Sequence, residues 1–167
     1  MIIGILNSGG DCPGINAVIE GYVSAAYRRG WRVIGFHDGF EGLLPVAGGR
    51  RYETLTPSKT HKIRAYGGTI LGTSRRPFRN MRVVEEDGVD KVAAMKKTYK
   101  DLKLDCLVTL GGNGTHKTAN LLSEEGLNVI GLPKTIDNDI FGTDFTFGFH
   151  TAVDIATEVI DRIHTTA

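Results

Sequence analysis

The chain of 167 residues is long enough for one globular domain, and its 41% hydrophobic and 23% charged residues exclude a disordered or collagen-like protein. Because 20 Lys and Arg residues nearly balance 19 Asp and Glu residues, the net charge is only +1, which argues against a globally basic nucleic-acid binder. The N-terminal apolar run over residues 2–6 is too short for a signal peptide or a membrane span. We therefore expect a globular protein that binds neither nucleic acids nor membranes.

Cysteine is scarce in the chain and glycine is abundant. Cys12 and Cys106 are too few for a disulfide framework and form no metal-ligand pair, which fits a reducing compartment, so we expect a cytoplasmic protein. The 22 glycines are roughly twice the usual share of about 7%. They occur as pairs at expected loop positions, which suggests backbone that lies close to a ligand.

Apolar periodicity predicts alternating strands and helices along the chain. In chain order, we expect a strand over 1–6, a helix over 15–27, a strand over 31–36, a short strand over 51–55, helices over 57–66 and 89–100, a strand over 106–110, a helix over 115–124, a strand over 129–132 that ends at Pro133, and a helix over 151–164. The last helix is expected to bury five apolar side chains, those of Val153, Ala156, Val159, Ile160 and Ile163.

This order predicts an α/β fold, a mostly parallel sheet with helices on both faces. Ligands of such sheets bind beyond the carboxyl ends of the strands. Three segments rich in glycine or aspartate follow predicted strands there: Ser8–Gly14, Gly111–Thr115 and Lys134–Asp139. We expect all three to meet at one edge of the sheet, and this convergence is stronger evidence for a site than any one segment.

The two glycine-rich segments are suited to binding phosphate. Their glycines can turn the chain sharply, expose backbone N–H groups and precede a helix start, where anions bind favourably. The first segment has neither the G-x-G-x-x-G nor the P-loop pattern, which weakens a standard dinucleotide or Walker interpretation. The alternative is plain turns in which Asp11, Asn113 or Thr115 caps the next helix.

The segment Lys134–Asp139 has the most reactive side chains. An ammonium and two carboxylates, those of Asp137 and Asp139, follow a buried strand. In an extended chain the two carboxylates would point in the same general direction, as a general base and a ligand of metal or water would require. The alternative is an Asx turn that separates them, because Asp-Asn-Asp is favourable turn chemistry.

A basic stretch lies between Lys59 and Arg82, where the chain has seven Lys and Arg residues and no acidic residue. A solvated basic surface is the usual meaning of such a run. Here the glycine turns at 67–68 and 72 lie inside it, which favours an anionic ligand.

Four motifs taken together resemble the 6-phosphofructokinase family. They are GGDCPGINA at residues 9–17, GGTILGTSR at 67–75, GGNGT at 111–115 and PKTIDND at 133–139, and TFGF at 146–149 agrees with them. Their order and spacing match the family over the whole chain, which corresponds to about the N-terminal half of a family subunit. The resemblance therefore implies a Rossmann-like N-terminal phosphofructokinase domain over residues 1–167.

The resemblance implies transfer of a phosphoryl group from ATP to the 1-hydroxyl of fructose 6-phosphate in glycolysis, which gives fructose 1,6-bisphosphate. It implies an ATP site, in which Arg75 stabilises the transferred charge, made by Gly10, Arg75, Arg76, Gly112, Asn113, Gly114 and Thr115. It also implies a sugar-phosphate site with Thr135, Ile136 and Asp137, in which Asp137 takes the proton of the attacking hydroxyl. The remaining sugar contacts would lie outside the chain, so we expect the chain alone to be inactive and the complete enzyme to be a homo-oligomer.

Three positions bear on the metal and on the phosphoryl donor. Asn113 stands where the family has a metal-binding aspartate, so Mg²⁺ would be held more weakly there, or chiefly by the phosphates and Asp139. The resemblance also implies that family members that use pyrophosphate have an aspartate at the position of Gly114. It implies further that Lys134 replaces a glycine common in bacterial ATP-dependent enzymes, and the ammonium of Lys134 could neutralise a pyrophosphate leaving group. Because a side chain at Gly114 would exclude ATP by clash while Lys134 excludes nothing, we expect ATP as the donor. The alternatives are a pyrophosphate-dependent phosphotransferase and a phosphate-binding module without catalysis.

Overall fold

A single sheet forms the centre of the computed structural model, which describes residues 1–46, 49–85 and 88–166. In these residues the strands are β1 (Ile2–Asn7), β2 (Arg32–Phe36), β3 (Tyr52–Leu55), β4 (Cys106–Gly111), β5 (Val129–Thr135) and β6 (Phe147–Gly148). Their order across the sheet is β3-β2-β1-β4-β5-β6, and every neighbouring pair is parallel except β2 with β3. The prediction of a mostly parallel sheet is confirmed.

Helices lie on both faces of this sheet, as predicted. In the described residues they are α1 (Ile15–Arg28), α2 (Pro57–Thr60), α3 (Lys91–Asp101), α4 (Asn113–Glu124) and α5 (Phe149–His164), with 3-10 turns over Gly39–Leu43, Ile63–Ala65 and Phe78–Asn80. One apolar cluster lies between the sheet and α1, and a second lies between the opposite face and the helices α3 and α4. The α/β fold with two helical layers is therefore confirmed.

The two clusters form because side chains alternate between the faces of each strand. Ile5 of β1 and Val108 of β4 pack with α1, whereas their neighbours Leu6 and Leu107 pack on the other face, and all four are fully buried. Burying one such side chain stabilises the fold by about 1.5–3 kcal/mol. The central strands are thereby fixed in position, and the loops that leave their carboxyl ends emerge at one edge of the sheet.

The helix expected over 57–66 is interrupted. It consists of the single turn α2 and the separate 3-10 turn at Ile63–Ala65, and between them Lys62 has a left-handed backbone with φ of 65°. The carboxylate of Glu20, in α1, accepts hydrogen bonds from the backbone N–H groups of Lys62 and Arg64 at 3.4 and 3.2 Å. These contacts replace the i to i−4 bonds that a continuous helix would need.

The strand expected to end at Pro133 continues to Thr135, so that boundary was wrong. The N–H of Leu107 donates to the carbonyl of Asn128 at 2.9 Å, and the backbone groups of alternate β5 residues therefore face β4. Pro133 is out of phase with Asn128, and its nitrogen faces away from β4. On that side β6 pairs only with Lys134 and Thr135. Proline is compatible with such a position in a strand.

The burial predicted for the last helix is also wrong. The helix forms over Phe149–His164, but it has no buried residue. The side chains of Val153, Val159, Ile160 and Ile163 are 46%, 48%, 63% and 61% exposed, and Ala156 is exposed as well. The apolar stripe has helical periodicity, yet no element in the described part of the chain covers it.

Candidate functional site

A cavity of about 460 Å³ lies beyond the carboxyl ends of β1, β4 and β5. All three segments singled out by the sequence contribute to its wall, so their predicted convergence is confirmed. The lining residues are Ser8, Gly9, Gly10, Asp11, Cys12, Phe40, Arg75, Arg76, Pro77, Gly112, Gly114, Thr115, Thr118, Lys134, Thr135, Ile136 and Asp137. This volume is within the range of small-molecule sites.

The loop after β1 is fixed by hydrogen bonds to the loop that bears Arg75. Gly9, with φ of 90°, donates its N–H to the carbonyl of Ser74 at 3.0 Å and accepts the hydroxyl of Thr73 at 2.7 Å. This left-handed turn favours glycine. The Nη2 atom of Arg75 consequently lies 3.2 Å from the point where a Cβ of Gly10 would be. A guanidinium and an open glycine backbone therefore face the same part of the cavity.

The first glycine-rich loop lines the cavity with residues 8–12, but the helix start expected directly after it does not lie there. The residue before α1 is Gly14, which does not line the cavity, and no side chain caps this helix. Asp11 does not cap it either, because its carboxylate accepts the N–H groups of Cys12 and Thr69 at 2.9 and 3.2 Å. Asp11 therefore connects two loops.

The helix N-terminus at the cavity belongs to α4. Gly112 is the one residue between β4 and α4, and neither Asn113 nor Thr115 caps the helix, so the capping alternative is wrong. The hydroxyl of Thr115 instead donates to the carbonyl of Ser8 at 3.2 Å and connects the two glycine-rich loops. The first turn of α4 thus presents backbone N–H groups at the cavity, as an anion site requires.

Asn113 and Gly114 differ in their relation to the cavity. Gly114 lines it, and a Cβ built on this residue would have no heavy atom within 4 Å. Asn113 is exposed and does not line the cavity. A side chain at position 114 would therefore extend into open space beside the cavity.

Lys134 is buried at the centre of the site, with only 4% of its surface exposed. Its ammonium donates to the carbonyl of Gly10, and it lies in the field of Cys12, Asp11 and Arg75. Burial lowers the pKa of Lys134 below its usual value, and the Cys12 and Asp11 side chains partly oppose this effect. Lys134 therefore orients the Gly9–Gly10 turn as well as adding positive charge.

Thr135 and Asp137 form a local pair at the rim. The N–H of Asp137 donates to the hydroxyl of Thr135 at 3.1 Å, and that hydroxyl lies 3.5 Å from the Asp137 carboxylate. Asp137 is exposed and lines the cavity, and so does Ile136. Asn138 then turns the chain with φ of 52°, and Asp139 does not line the cavity. The turn separates the two carboxylates, as the alternative interpretation expected.

The basic stretch is less positive than its sequence suggests, because distant carboxylates compensate four of its cations. Arg76 lies in the cavity wall beside Glu41, whose hydrogen bond raises the pKa of the guanidinium above its usual value. Arg75 makes no ion pair with any residue that the structure describes. The ion pairs are Lys59 with Glu53 at 2.5 Å, Arg64 with Glu20 at 3.6 Å, Arg76 with Glu41 at 2.5 Å and Arg82 with Glu125 at 3.1 Å.

Sequence reasoning missed the polar residues that hold the loops. Asn16, buried in the first turn of α1, donates to the carbonyls of Tyr66 and Gly68 and accepts the N–H of Ile70 at 3.0 Å. Asn7, buried at the end of β1, donates to the carbonyl of Gly72 at 2.8 Å. The available signal was a polar residue inside an apolar run, because a buried amide needs partners.

Several general expectations concern the chain as a whole. Cys12 and Cys106 are both buried and free. No helix in residues 1–46, 49–85 and 88–166 is long and apolar enough to cross a membrane. The same ranges contain no group of three or more His, Cys, Asp or Glu side chains that could hold a metal ion.

The amino-acid sequence is similar to those of several known proteins. It is 60% identical to the ATP-dependent 6-phosphofructokinase of Spirochaeta thermophila, over 98% of this chain and 45% of that protein. It is 50% identical to ATP-dependent 6-phosphofructokinase 3 of Bacteroides thetaiotaomicron, over 100% of this chain and 48% of that protein. The chain thus spans about half the length of these relatives.

Solved structures agree with the sequence relatives. The phosphofructokinase of Saccharomyces cerevisiae superposes with a TM-score of 0.83 at 28% identity, over 99% of this chain and 24% of that one. The pyrophosphate-dependent phosphofructokinase of Nitrosospira multiformis superposes with a TM-score of 0.71 at 21% identity, over 99% of this chain and 43% of that one, and shows the shared fold. The family model described as Phosphofructokinase matches residues 2–167. With the motifs, the fold and this match in agreement, the chain belongs to the phosphofructokinase family.

Proposed function

We propose that the protein containing this chain transfers the terminal phosphoryl group of ATP to the 1-hydroxyl of fructose 6-phosphate, and that residues 1–167 form its N-terminal nucleotide-binding portion. The observation that supports this most is the meeting of three strand ends at one cavity, with Arg75, Lys134 and the N-terminus of α4 at its wall. The names of the relatives add ATP as the donor. A reducing cytoplasm and a homo-oligomeric state remain predictions.

The cavity wall divides into a part suited to the donor and a part suited to the acceptor. Gly10, Arg75 and the first turn of α4 offer N–H groups and positive charge, which stabilise phosphate oxygens and the charge that develops during transfer. Thr135 and Asp137 lie on the rim, where an acceptor hydroxyl can approach. Asp137 is the base in this scheme, because it is a solvent-accessible carboxylate at the cavity edge.

Mg²⁺ fits this site as a companion of the donor rather than as a resident ion. Mg²⁺ is usually bound through one or two protein oxygens together with substrate phosphates. The described residues have no three-carboxylate cage, and the amide of Asn113 is exposed at the start of α4, next to Gly112 and Gly114 of the wall. The amide of Asn113 is the proposed protein ligand because it lies directly beside the wall, although it does not itself line the cavity, and the ion would supply charge neutralisation on the phosphates.

The base assignment is tested by Asp137→Asn in the complete protein. This change preserves the shape of the side chain and removes the proton acceptor, so kcat should fall by roughly 10²–10⁴-fold. The assay is formation of fructose 1,6-bisphosphate from ATP and fructose 6-phosphate. Asp144→Asn is the matched control, since Asp144 is exposed, lies outside the cavity and contributes a backbone carbonyl to its hydrogen bond. A near-normal kcat in Asp137→Asn would contradict the assignment.

One observation favours pyrophosphate as the alternative donor. The ammonium of Lys134 lies in the cavity wall, where it could bind a small, highly charged leaving group. The open space at Gly114 favours ATP, because a bulky donor requires that space to be empty. The ratio of kcat/KM for the two donors on the complete protein decides between them, and we expect ATP to be strongly preferred.

A further inference from the structure

An ion network lies behind the cavity wall at Arg76. Glu41, in the 3-10 turn after β2, accepts the Nε–H of Arg76 at 2.5 Å, and an oxygen of Glu85 lies 3.4 Å from its Nη1. Lys91, the first residue of α3, lies 3.3 Å from Glu85 and donates to the carbonyl of Val83 at 2.5 Å. The guanidinium of Arg76 is thereby held by two carboxylates from other segments of the chain, and Lys91 holds one of these carboxylates in turn.

This network is balanced in charge, and three of its four side chains are largely shielded from water, whereas Glu85 is 45% exposed. The side chains of Arg76 and Glu41 are only 22% and 19% exposed, and that of Lys91 is 1% exposed. Two carboxylates face two cations, so Arg76 adds no net positive charge to the cavity. Ion pairs on the surface contribute little to stability, because solvent screens the charges and the side chains are mobile. Neither condition applies fully to the pair of Arg76 with Glu41.

Arg75 is in the opposite situation, although it is the neighbouring residue. Arg75 is exposed, and it makes no ion pair with any residue in the described ranges. Its guanidinium reaches toward Gly10, beside the ammonium of Lys134. The positive charge available to phosphates is therefore that of Arg75 and Lys134, whereas Arg76 forms part of a fixed, compensated wall.

We propose that Glu41 is a positioning residue of the donor site, which acts by holding Arg76 in the cavity wall. The inference rests on the proposed use of ATP. A guanidinium that is held in advance loses little rotamer freedom when the donor binds. A planar, charge-compensated guanidinium is also suited to hydrogen bonding or stacking with the nucleoside part of ATP. Glu41 should therefore determine KM for ATP and leave the chemical step unchanged.

The test is Glu41→Gln in the complete protein. We expect KM for ATP to rise about 3- to 10-fold, the cost of ordering one long side chain, with kcat changed by less than about twofold. KM for fructose 6-phosphate should not change. In an Arg76→Met background, Glu41→Gln should have no further effect, because Glu41 acts through Arg76. The matched control is Glu53→Gln, which breaks the 2.5 Å pair with Lys59 away from the cavity and should leave both KM values unchanged.

A nucleotide-independent measurement separates this inference from the proposed function. The Nε–H of Arg76 should exchange slowly with solvent in ¹⁵N NMR spectra of the wild type and rapidly in Glu41→Gln. Rapid exchange in the wild type, an unchanged KM for ATP, an equal rise in both KM values, or an effect that persists with Arg76→Met would each overturn the inference. A wild-type protein that does not use ATP would refute the proposed function, and the exchange rate would still decide whether Glu41 holds Arg76.

Discussion

Gly114 lies in the first turn of α4 and lines the cavity, and a Cβ at this position would have no heavy atom within 4 Å. An aspartate can therefore be introduced there without disturbing the fold, and its carboxylate would lie beside the space proposed for the donor phosphates. Gly114→Asp adds both bulk and a negative charge at this point. We expect it to impair the use of ATP and to leave the stability of the protein nearly unchanged.

The magnitude follows from the added charge. A carboxylate about 5 Å from one phosphate charge costs roughly 0.8 kcal/mol at the dielectric constant of water and roughly 3 kcal/mol at an effective value of about 20. Since about 1.4 kcal/mol corresponds to tenfold in rate, kcat/KM for ATP should fall by at least ~10-fold once the steric effect is included. Two adjacent cations, Arg75 and Lys134, limit the loss.

The assay measures kcat/KM for ATP and for pyrophosphate with Mg²⁺ in the complete protein. Gly114→Ala is the matched control, because a methyl group adds no charge and alanine in a helix is up to about 1 kcal/mol more favourable than glycine. We expect this variant to be more resistant to urea and to lose clearly less kcat/KM for ATP than Gly114→Asp, since its side chain is smaller and uncharged. Unchanged kcat/KM for ATP in Gly114→Asp, or a wild type that prefers pyrophosphate, would refute the reasoning.

Two further predictions concern the chain itself. The isolated 167-residue chain should bind ATP without phosphotransfer and should self-associate through the exposed apolar side of α5. Light scattering should therefore detect oligomers, and Ile160→Glu should weaken them, since Ile160 is 63% exposed. Phosphotransfer by this chain, or a strictly monomeric wild-type chain, would contradict the prediction. Burial lowers the pKa of His116, so the unfolded state binds more protons as the pH falls below about 6.5, and the free energy of unfolding should fall with it. In urea titrations at several pH values, the free energy of unfolding of His116→Phe should fall less steeply with decreasing pH than that of the wild type. An equally steep fall in the variant would contradict the attribution of this pH dependence to His116.

The strands and the site segments were predictable because short-range patterns determine them. The run Cys106–Leu110 is apolar except for Thr109 and is followed by paired glycines, so a buried strand entering a tight turn was evident from sequence. Parallel strands then bring their carboxyl-terminal loops to the same edge. The boundary at Pro133 was not predictable, because it depends on which neighbouring strand the proline nitrogen faces, and that is a property of the sheet.

The charge of the site could not be predicted from sequence for a similar reason. Residues 59–82 have no acidic residue, yet the carboxylate that holds Arg76 comes from Glu41, on another element. Arg75 and Arg76 are identical neighbours in the sequence, and tertiary contacts alone make one available to the cavity and the other fixed. The exposed apolar stripe of α5 could not be predicted from sequence either. Helical periodicity indicates that a helix has an apolar face, but it does not indicate which element, if any, covers that face.

The arrangement of the cavity follows from strand register and from a few polar contacts between loops. Asn7 is level with Leu110, and Gly111 is level with Pro133, so β1 and β4 end within one residue of each other and β5 runs only two residues further before its loop begins. Thr115 then donates to the carbonyl of Ser8, and Lys134 donates to the carbonyl of Gly10. Both contacts end on the loop after β1, which bears the glycines proposed to meet phosphate. Losing the hydrogen-bond donor to a carbonyl removed from solvent lowers the stability of the fold. The conformation of the first loop therefore depends on residues of the other two segments, and the three segments form one site rather than three independent turns.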